Sequence, residues 1–135
     1  MTINDFLQGD KFALFAGVEL LETGNGYAKA RMEIKPIHLN GGGVCQGGAI
    51  FTLADLAFAA ATNSHARLTL SITSNINFFK AESKGFLYAE AREVFSHKRL
   101  ANCEVNITNE AGELIATFSG SGYRKDTELP FAPIE

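Results

Sequence analysis

The chain has 135 residues, of which 46% are hydrophobic and 20% charged, and its formal net charge is −3. This length and balance are typical of one folded domain with a real core, and they do not favour a general nucleic-acid surface. Two cysteines are too few for a disulfide framework, so the class of small disulfide-stabilised secreted domains is excluded.

The sequence has no recognisable targeting or membrane segment. Its first ten residues lack a basic stretch followed by an apolar one, so no signal peptide is predicted. The longest apolar run, Ala49 to Ala61, is interrupted by Thr52 and Asp55 and is too short to span a membrane. We therefore expect a cytoplasmic protein whose partners include neither a membrane nor a nucleic acid.

The first third of the chain predicts a short helix and two strands. Residues 3–8 predict the helix, with Asn4 as its N-cap. A strand is expected at Val18 to Glu22, followed by a turn. Apolar and polar side chains then alternate from Tyr27 to Ile34, so one face of this second strand is expected to be buried. Pro36 ends it.

A glycine-rich segment, residues 38–48, leads into a helix-length apolar run. Ala and Leu dominate from Gly48 to about Asn63 and no helix breaker intervenes, which predicts a helix. Because this helix is apolar on nearly all sides, we expect it to be buried nearly all round. Only a curved sheet could cover its length of roughly 24 Å.

Beyond the helix, alternation and turn residues predict four more strands, at 68–78, 86–95, 101–108 and 113–123. The tail from Arg124 is expected to be loosely attached. Hairpin turns between strands predict an antiparallel sheet. The fold class is therefore α+β, with a curved antiparallel sheet wrapped around one long central helix.

Asp55 is the one acid in the predicted helix, and an unpaired carboxylate there is costly enough to suggest a function. Burial should raise its pKa unless hydrogen bonds or the helix dipole oppose the rise, and a base or nucleophile needs such donors to stay ionised. The preceding glycines free backbone N–H groups at a helix N-terminus, where negative charge is stabilised. This combination suggests an acyl-transfer site.

Four motifs resemble those of a known family. The segments His38–Gly41, Gly47–Gly48, Phe51–Asp55 and Asn75–Phe78 are similar in order and spacing to the hotdog-fold acyl-CoA thioesterases of the phenylacetic acid degradation type, in the 4-hydroxybenzoyl-CoA thioesterase superfamily. The resemblance covers nearly the whole chain. It implies that residues 1–135 form a single hotdog thioesterase domain.

The resemblance also implies catalytic roles. Asp55 matches the helix carboxylate that acts as general base or nucleophile, and Gly47 matches the residue whose backbone N–H polarises the thioester carbonyl. Asn40 matches an asparagine that holds substrate or water near the thioester. Ser71 matches a strand hydroxyl that orients the attacking water, with Thr73, expected on the same face, as the alternative.

Gln46 departs from the family pattern, which usually has histidine before the Gly-Gly pair. Glutamine donates and accepts hydrogen bonds but cannot titrate. Hydrolysis should survive if this position supports the loop, and should fall if the position carries a proton. Gln46 also counts against a hotdog hydratase or dehydratase, which usually pairs a histidine with the acid. A further alternative is an acyl-CoA-binding protein without catalysis.

The resemblance implies hydrolysis of an aromatic or medium-chain acyl-CoA, without metal or redox cofactor, in a homodimer or homotetramer whose sites are shared between subunits. The predicted substrate contacts are Gly48 and, for the nucleotide phosphates, Lys80, Lys84, Lys98 and Arg99. A separate hypothesis is that Cys45 acts as a nucleophile with His38 or His65 as its base, although lone cysteines more often pack in the core.

Overall fold

Two short helices precede the sheet. In the computed structural model, which describes residues 1–135, α1 is Ile3–Leu7 and α2 is Lys11–Ala16. The cap of α1 is Thr2 and not Asn4 as predicted. The Thr2 hydroxyl accepts the Asp5 N–H, and the Asp5 carboxylate accepts the Thr2 N–H, which makes a reciprocal capping box.

Helix α2 was not predicted from the sequence, because six residues are too few to show a helical period. Its bounding signals are nevertheless clear. The Asp10 side chain accepts the Ala13 N–H, and Gly17 ends the helix with a φ of 84°, a left-handed conformation that favours glycine. Ala13 faces the core, whereas Phe12 and Phe15 are 70% and 76% exposed.

Six strands form one antiparallel sheet, and this confirms the predicted fold class. Their bounds are β1 Val18–Gly24, β2 Tyr27–Glu33, β3 Arg67–Phe78, β4 Phe86–Ser96, β5 Leu100–Asn109 and β6 Leu114–Glu128. The order across the sheet is β1-β2-β4-β5-β6-β3, so β2 pairs with β4, and β3 lies at an edge against β6. The connection from β3 to β4 is therefore a crossover. Of the strands after the long helix, only the pairs β4–β5 and β5–β6 form hairpins.

The long helix α3, Gly47–Thr62, lies against β2, β4 and β5. Small side chains allow the close approach: Ala54, Ala57, Ala60 and Ala61 of the helix and Ala28, Ala30, Ala89 and Ala91 of the sheet are all buried. The expectation that the helix is buried nearly all round is wrong along one stripe. Gly48, Thr52 and Asp55, spaced four and three residues apart, share a face that stays partly open. No helix in the structure is long and apolar enough to cross a membrane.

Arg124 and the tail after it are not loosely attached, which corrects the prediction. Strand β6 continues to Glu128, and Arg124 is buried within it. Its guanidinium donates to the His97 carbonyl at 2.7 Å and lies 3.5 Å from the buried carboxylate of Glu93. Further on, the Ile134 N–H donates to the Ser64 carbonyl beyond the end of α3. Long-range ionic contacts of this kind leave no local pattern in the sequence.

Gly120 of β6 allows the sheet to approach α3 closely. A Cβ atom there would lie 2.9 Å from the Phe118 ring and 3.1 Å from the Phe58 ring. We expect Gly120→Ala to lower the free energy of unfolding by about 1–3 kcal/mol, because overpacking displaces both rings. Urea unfolding followed by circular dichroism measures this loss. Gly24→Ala is the control, since its Cβ would make an ordinary 3.6 Å contact with Tyr27; equal losses would contradict the packing argument.

Candidate active site

His38 fastens the loop before α3 to the end of α2. Its Nδ1 accepts the Lys35 N–H at 2.9 Å, so Nε2 carries the proton and donates to the Ala16 carbonyl at 2.7 Å. The carbonyl of His38 accepts the Gln46 N–H at 2.7 Å. Both ring nitrogens of this buried residue are thus engaged. His38 holds the residue before α3 in place and has no free nitrogen for catalysis.

Asn40 closes the glycine loop on itself. Its side-chain oxygen accepts the N–H groups of Gly42 at 2.9 Å and Val44 at 3.3 Å, and its own N–H donates to the Val44 carbonyl at 2.8 Å. The side-chain NH₂ group makes no hydrogen bond within the chain, and the residue is exposed. That NH₂ group is the part of Asn40 free to contact a substrate or water.

Helix α3 begins with two unpaired backbone donors. The N–H groups of Ala49 and Ile50 donate to the Gln46 carbonyl, at 3.0 and 3.3 Å. Those of Gly47 and Gly48, the first two residues of the helix, have no acceptor in the chain, and no side chain caps them. Adjacent free donors at the positive end of a helix dipole can stabilise an oxyanion.

Gln46 lies beside these donors. It is the N-cap residue of α3, but its side chain accepts no hydrogen bond from the helix. Its Oε1 lies so close to Gly48 that a Cβ atom there would be 2.7 Å away. The carboxamide is therefore next to the start of the helix, where the resemblance leads one to expect histidine, and well away from Asp55.

Asp55 is half-buried on the open stripe of α3, two turns further along. Burial raises the pKa of its carboxyl group above the ordinary value, and the negative charge of Asp10 adds to the rise. No donor in the chain makes a hydrogen bond to the carboxylate. The donors expected to keep it ionised are therefore not supplied by this chain.

Gly47 and Asp55 lie too far apart to act together within one copy. They are eight residues apart on the same helix, which corresponds to about 12 Å along the axis. Reacting atoms must approach to about 3–3.5 Å. The Asp55 carboxylate therefore cannot reach a carbonyl group that is held by the Gly47 N–H of its own chain.

Ser71 and Thr73 lie on the exposed edge strand β3. A bulge separates them: Ser71 pairs with Gly122, whereas Thr73 pairs with Ser121, the adjacent residue of β6. Because neighbouring strand residues point to opposite faces, the expectation that the two hydroxyls share a face is wrong. The Ser71 hydroxyl instead lies 3.3 Å from that of Ser74.

The four predicted phosphate contacts fall into two pairs, Lys80 with Lys84 beyond the end of β3 and Lys98 with Arg99 in the β4–β5 turn. Arg99 lies 2.8 Å from Asp126, which also binds Arg67 at the start of β3. Strand β3 has 12 residues and so separates the two pairs by roughly 36 Å. Within one chain they do not form a single site. Lys80 is further engaged with Glu113 at 2.7 Å.

Two grooves flank the start of α3. The first, of about 410 Å³, lies between α2 and the loop, and its walls include Phe12, Phe15, Ile37, Leu39, Gly48 and Thr52. The second, of about 330 Å³, lies at the end of β3, and its walls include Cys45, Gly47, Phe78, Phe79 and Lys80. The α2 residues of the first groove are not among the site residues predicted from the sequence. The Asp10 cap and Gly17 were signals that could have revealed this helix.

The cysteines are packing residues. Burial raises the pKa of Cys45 to about 11 and that of Cys103 to about 12, so neither thiol ionises near neutral pH. His38 is fully engaged, and His65 lies 2.7 Å from Glu93. The nucleophilic reading of Cys45 therefore has no support in the structure. No group of three or more potential metal ligands is close enough to hold an ion.

Residues 42–116, more than half of the chain, match the family model of the thioesterase superfamily. The chain belongs to this superfamily. It is a hotdog thioesterase, and the matched segment contains the end of the glycine-rich segment from Gly42, the N-terminus of α3 and Asp55. The matched segment ends within β6, so α1, α2 and the tail lie outside it.

Relatives extend the similarity over most of the chain. A protein of Archaeoglobus fulgidus named "Putative esterase" is 42% identical over 130 residues, which cover 95% of this chain and 84% of that protein. Acyl-coenzyme A thioesterase PaaI of Escherichia coli is 30% identical over 118 residues, covering 87% and 84%. The E. coli PaaI structure, from the phenylacetic acid degradation operon, superimposes with a TM-score of 0.89 at 27% identity and covers 93% of this chain and 91% of its own.

Asp55 should lower the stability of the fold at neutral pH. Because its pKa is raised, the folded chain keeps this proton to higher pH than the unfolded chain, and stability falls as the pH rises through the raised pKa. We expect Asp55→Asn to be more stable than the wild type at pH 7, and the difference to vanish below the ordinary carboxyl pKa. Urea midpoints at several pH values measure this.

Asp126→Asn is a control of opposite sign. The hydrogen bond that Arg99 donates lowers the pKa of Asp126. The ionised carboxylate therefore stabilises the fold at pH values above the ordinary carboxyl pKa, and its loss in Asp126→Asn should lower the stability of the fold at pH 7. Equal shifts of both variants in one direction would contradict the argument from burial.

Proposed function

We propose that this protein hydrolyses acyl-CoA thioesters to a free acid and CoA, with aromatic or medium-chain acyl groups as substrates. The observation that carries the proposal is the pair of unpaired N–H groups of Gly47 and Gly48 at the start of a helix whose open stripe bears a half-buried carboxylate. Similarity to the acyl-coenzyme A thioesterase of E. coli supports CoA as the carrier.

In the proposed reaction, the thioester oxygen accepts the Gly47 N–H, which makes the carbonyl carbon more electrophilic. One such preorganised donor is worth about 3 kcal/mol to the oxyanion. The Asp55 carboxylate then either removes a proton from an attacking water or attacks the carbon itself to give an anhydride that water cleaves. In both routes the carbon–sulfur bond breaks and the CoA thiolate takes up a proton.

We propose that each site combines two copies, with Gly47 from one and Asp55 from the other. The separation along α3 supports this, since neither copy can bring both groups to one carbonyl. The edge strand β3 is a suitable contact: it is twelve residues long, its outer edge is unpaired, and Leu70 and Ile72 are 49% and 57% exposed.

Antiparallel pairing of two β3 edges would also reunite the phosphate contacts. It would bring the end of one strand, near Lys80 and Lys84, towards the start of the other, near Lys98 and Arg99. The assembly is then a homodimer or, through a further contact, a homotetramer. We place it in the cytoplasm, a location that two free buried cysteines support.

The remaining predicted residues are assigned supporting roles. The carboxamide of Gln46 lies beside the helix N-terminus, and the free NH₂ of Asn40 is on the loop that precedes it; we assign both to holding substrate or water. Ser71 or Thr73, on the β3 edge, would orient the attacking water from the neighbouring copy. Residues 1–135 act as one catalytic domain, supported by a single sheet and a single core cluster.

Thiol release from a panel of acyl-CoAs tests the function. We expect turnover by the wild type and a loss of kcat of at least about 100-fold in Asp55→Asn, because the variant has neither base nor nucleophile. The wild-type rate should rise with pH through the raised pKa of Asp55. Unchanged thiol release in Asp55→Asn would exclude the mechanism. Absence of release from every acyl-CoA would favour the alternative, a protein that binds acyl-CoA without hydrolysing it.

Asp10→Asn provides an electrostatic control for that pH profile. Asparagine keeps the cap of α2 but removes the negative charge that adds to the rise which burial causes in the pKa of Asp55. The rising limb should therefore move to lower pH while the maximal rate stays close to that of the wild type. An unmoved limb would mean that another group titrates.

Mixing two inactive variants tests the shared site. Gly47→Pro removes the proposed donor at the first helical position, which proline tolerates, and Asp55→Asn removes the carboxylate. Random exchange of the two chains should restore about a quarter of wild-type activity, since half of the dimers are mixed and each has one intact site. Zero recovery, with mixed dimers shown by native mass spectrometry, would contradict sharing.

Gly47→Ala is the matched control for the proline variant. Both substitutions press a Cβ atom against the Phe78 ring, which would be 2.9 Å away, but only proline lacks the N–H. The alanine variant should therefore keep far more activity.

A further inference from the structure

The free N–H of Gly47 lies between the two grooves that flank α3. The groove at the end of β3 includes Gly47 itself, and the groove against α2 includes the next residue, Gly48. A thioester carbonyl has two substituents, the acyl group and the sulfur arm of CoA, which leave the carbon in different directions. A carbonyl oxygen bound at Gly47 can therefore direct one substituent into each groove.

The chemistry of the walls distinguishes the two grooves. The groove at the end of β3 includes Lys80, whose ammonium group lies at the surface and pairs with Glu113. It is the one of the two grooves with a cationic wall residue, so it suits the arm that ends in phosphates. The groove against α2 has no charged wall residue, because the His38 ring is held as the neutral tautomer. Its other polar wall side chains are uncharged: the carboxamide of Gln46, at the end of the groove next to the helix N-terminus, and the hydroxyl of Thr52, which already donates to the Gly48 carbonyl at 2.8 Å.

We infer that the α2 groove receives the acyl group, and that Phe12 and Phe15 are specificity-determining residues that favour large apolar acyl groups over acetyl. This inference rests on the proposed function and goes beyond it by assigning the two arms of the substrate. It also gives a function to α2, which lies outside the segment matched by the family model.

The size of the groove fits this occupant. A cavity of about 150 Å³ lined by apolar side chains is large enough to bind benzene, and the α2 groove has about 410 Å³. Phe12, Phe15 and Ile37 are 70%, 76% and 65% exposed, so a bound acyl group has large apolar surfaces to cover. An acetyl group has a single methyl group and would cover little of this surface.

The aromatic wall is held rigidly. Asp10 caps the start of α2, Gly17 ends it, and Ala13 packs into the core. The carbonyl of Ala16 accepts the His38 Nε2–H, and the His38 carbonyl holds the residue before α3. The wall therefore keeps a fixed position relative to the Gly47 N–H, which specificity for the size of the acyl group requires.

The test compares kcat/KM for octanoyl-CoA and benzoyl-CoA with kcat/KM for acetyl-CoA. In the double variant Phe12→Ala and Phe15→Ala, we expect the ratio of large to acetyl substrates to fall by about tenfold or more, because buried apolar contacts distinguish substrates by about 10- to 200-fold. Leu14→Ala is the matched control, since Leu14 is an exposed apolar residue of the same helix outside the groove, and it should leave the ratio unchanged.

The double variant Phe12→Leu with Phe15→Leu keeps apolar bulk. It should restore most of the ratio of kcat/KM for octanoyl-CoA to kcat/KM for acetyl-CoA, which a purely structural defect would not allow. An unchanged ratio in the alanine variant, with hydrolysis intact, would overturn the acyl assignment and leave the thioesterase function standing. Dissociation of the assembly by light scattering, with all substrates affected equally, would make the groove a contact between copies and would also overturn it. Only the absence of wild-type hydrolysis would reject the function itself.

Discussion

The first N–H groups of an α-helix have no acceptor inside the helix, and much of this molecule is arranged around that constraint at the start of α3. Glycine at positions 47 and 48 leaves the donors uncovered, while the Phe78 ring packs directly against Gly47. His38 fixes the preceding residue through its carbonyl. The sheet buries most of the helix behind these donors. The positive end of the helix dipole therefore lies at the end of the helix that is open to solvent.

The same helix also carries a conflict between folding and chemistry. A fully apolar helix would pack better in the curved sheet, yet Asp55 and Thr52 leave one stripe partly open. The carboxylate receives no hydrogen bond from its own chain and lies near a second acid, Asp10. An arrangement that is unfavourable for a single copy is thus found at the carboxylate that we propose takes part in the reaction.

The sequence predicted those features that are encoded locally. Alternation from Tyr27 to Ile34 placed the buried face of β2 correctly, and the glycine loop followed by an alanine-rich run placed α3 to within one residue. Resemblance to a family then identified this sheet around a helix as the hotdog fold, which is confirmed, and supplied most of the candidate site residues, which stay predictions. The predictions of β2 and α3 succeed because period and composition act over a few residues at a time.

The missed features depend on distant or single-residue effects. Helix α2 is too short for a period, and the burial of Arg124 depends on partners almost thirty residues away. One extra residue between Ser71 and Thr73 turns their hydroxyls to opposite faces, which alternation alone cannot reveal. The walls of each groove come from segments that are apart in the sequence and meet only in the folded chain.

The unpaired edge of β3 has a consequence for when the protein can act. If each site needs two copies, a newly synthesised chain can be fully folded and still inert, and its chemistry begins only on encounter with another copy. Below the dissociation constant of the pair, activity would grow with the square of the protein concentration, so expression level itself would act as a threshold. The strand that completes the site would thereby also set the minimum abundance at which CoA is recovered from its esters.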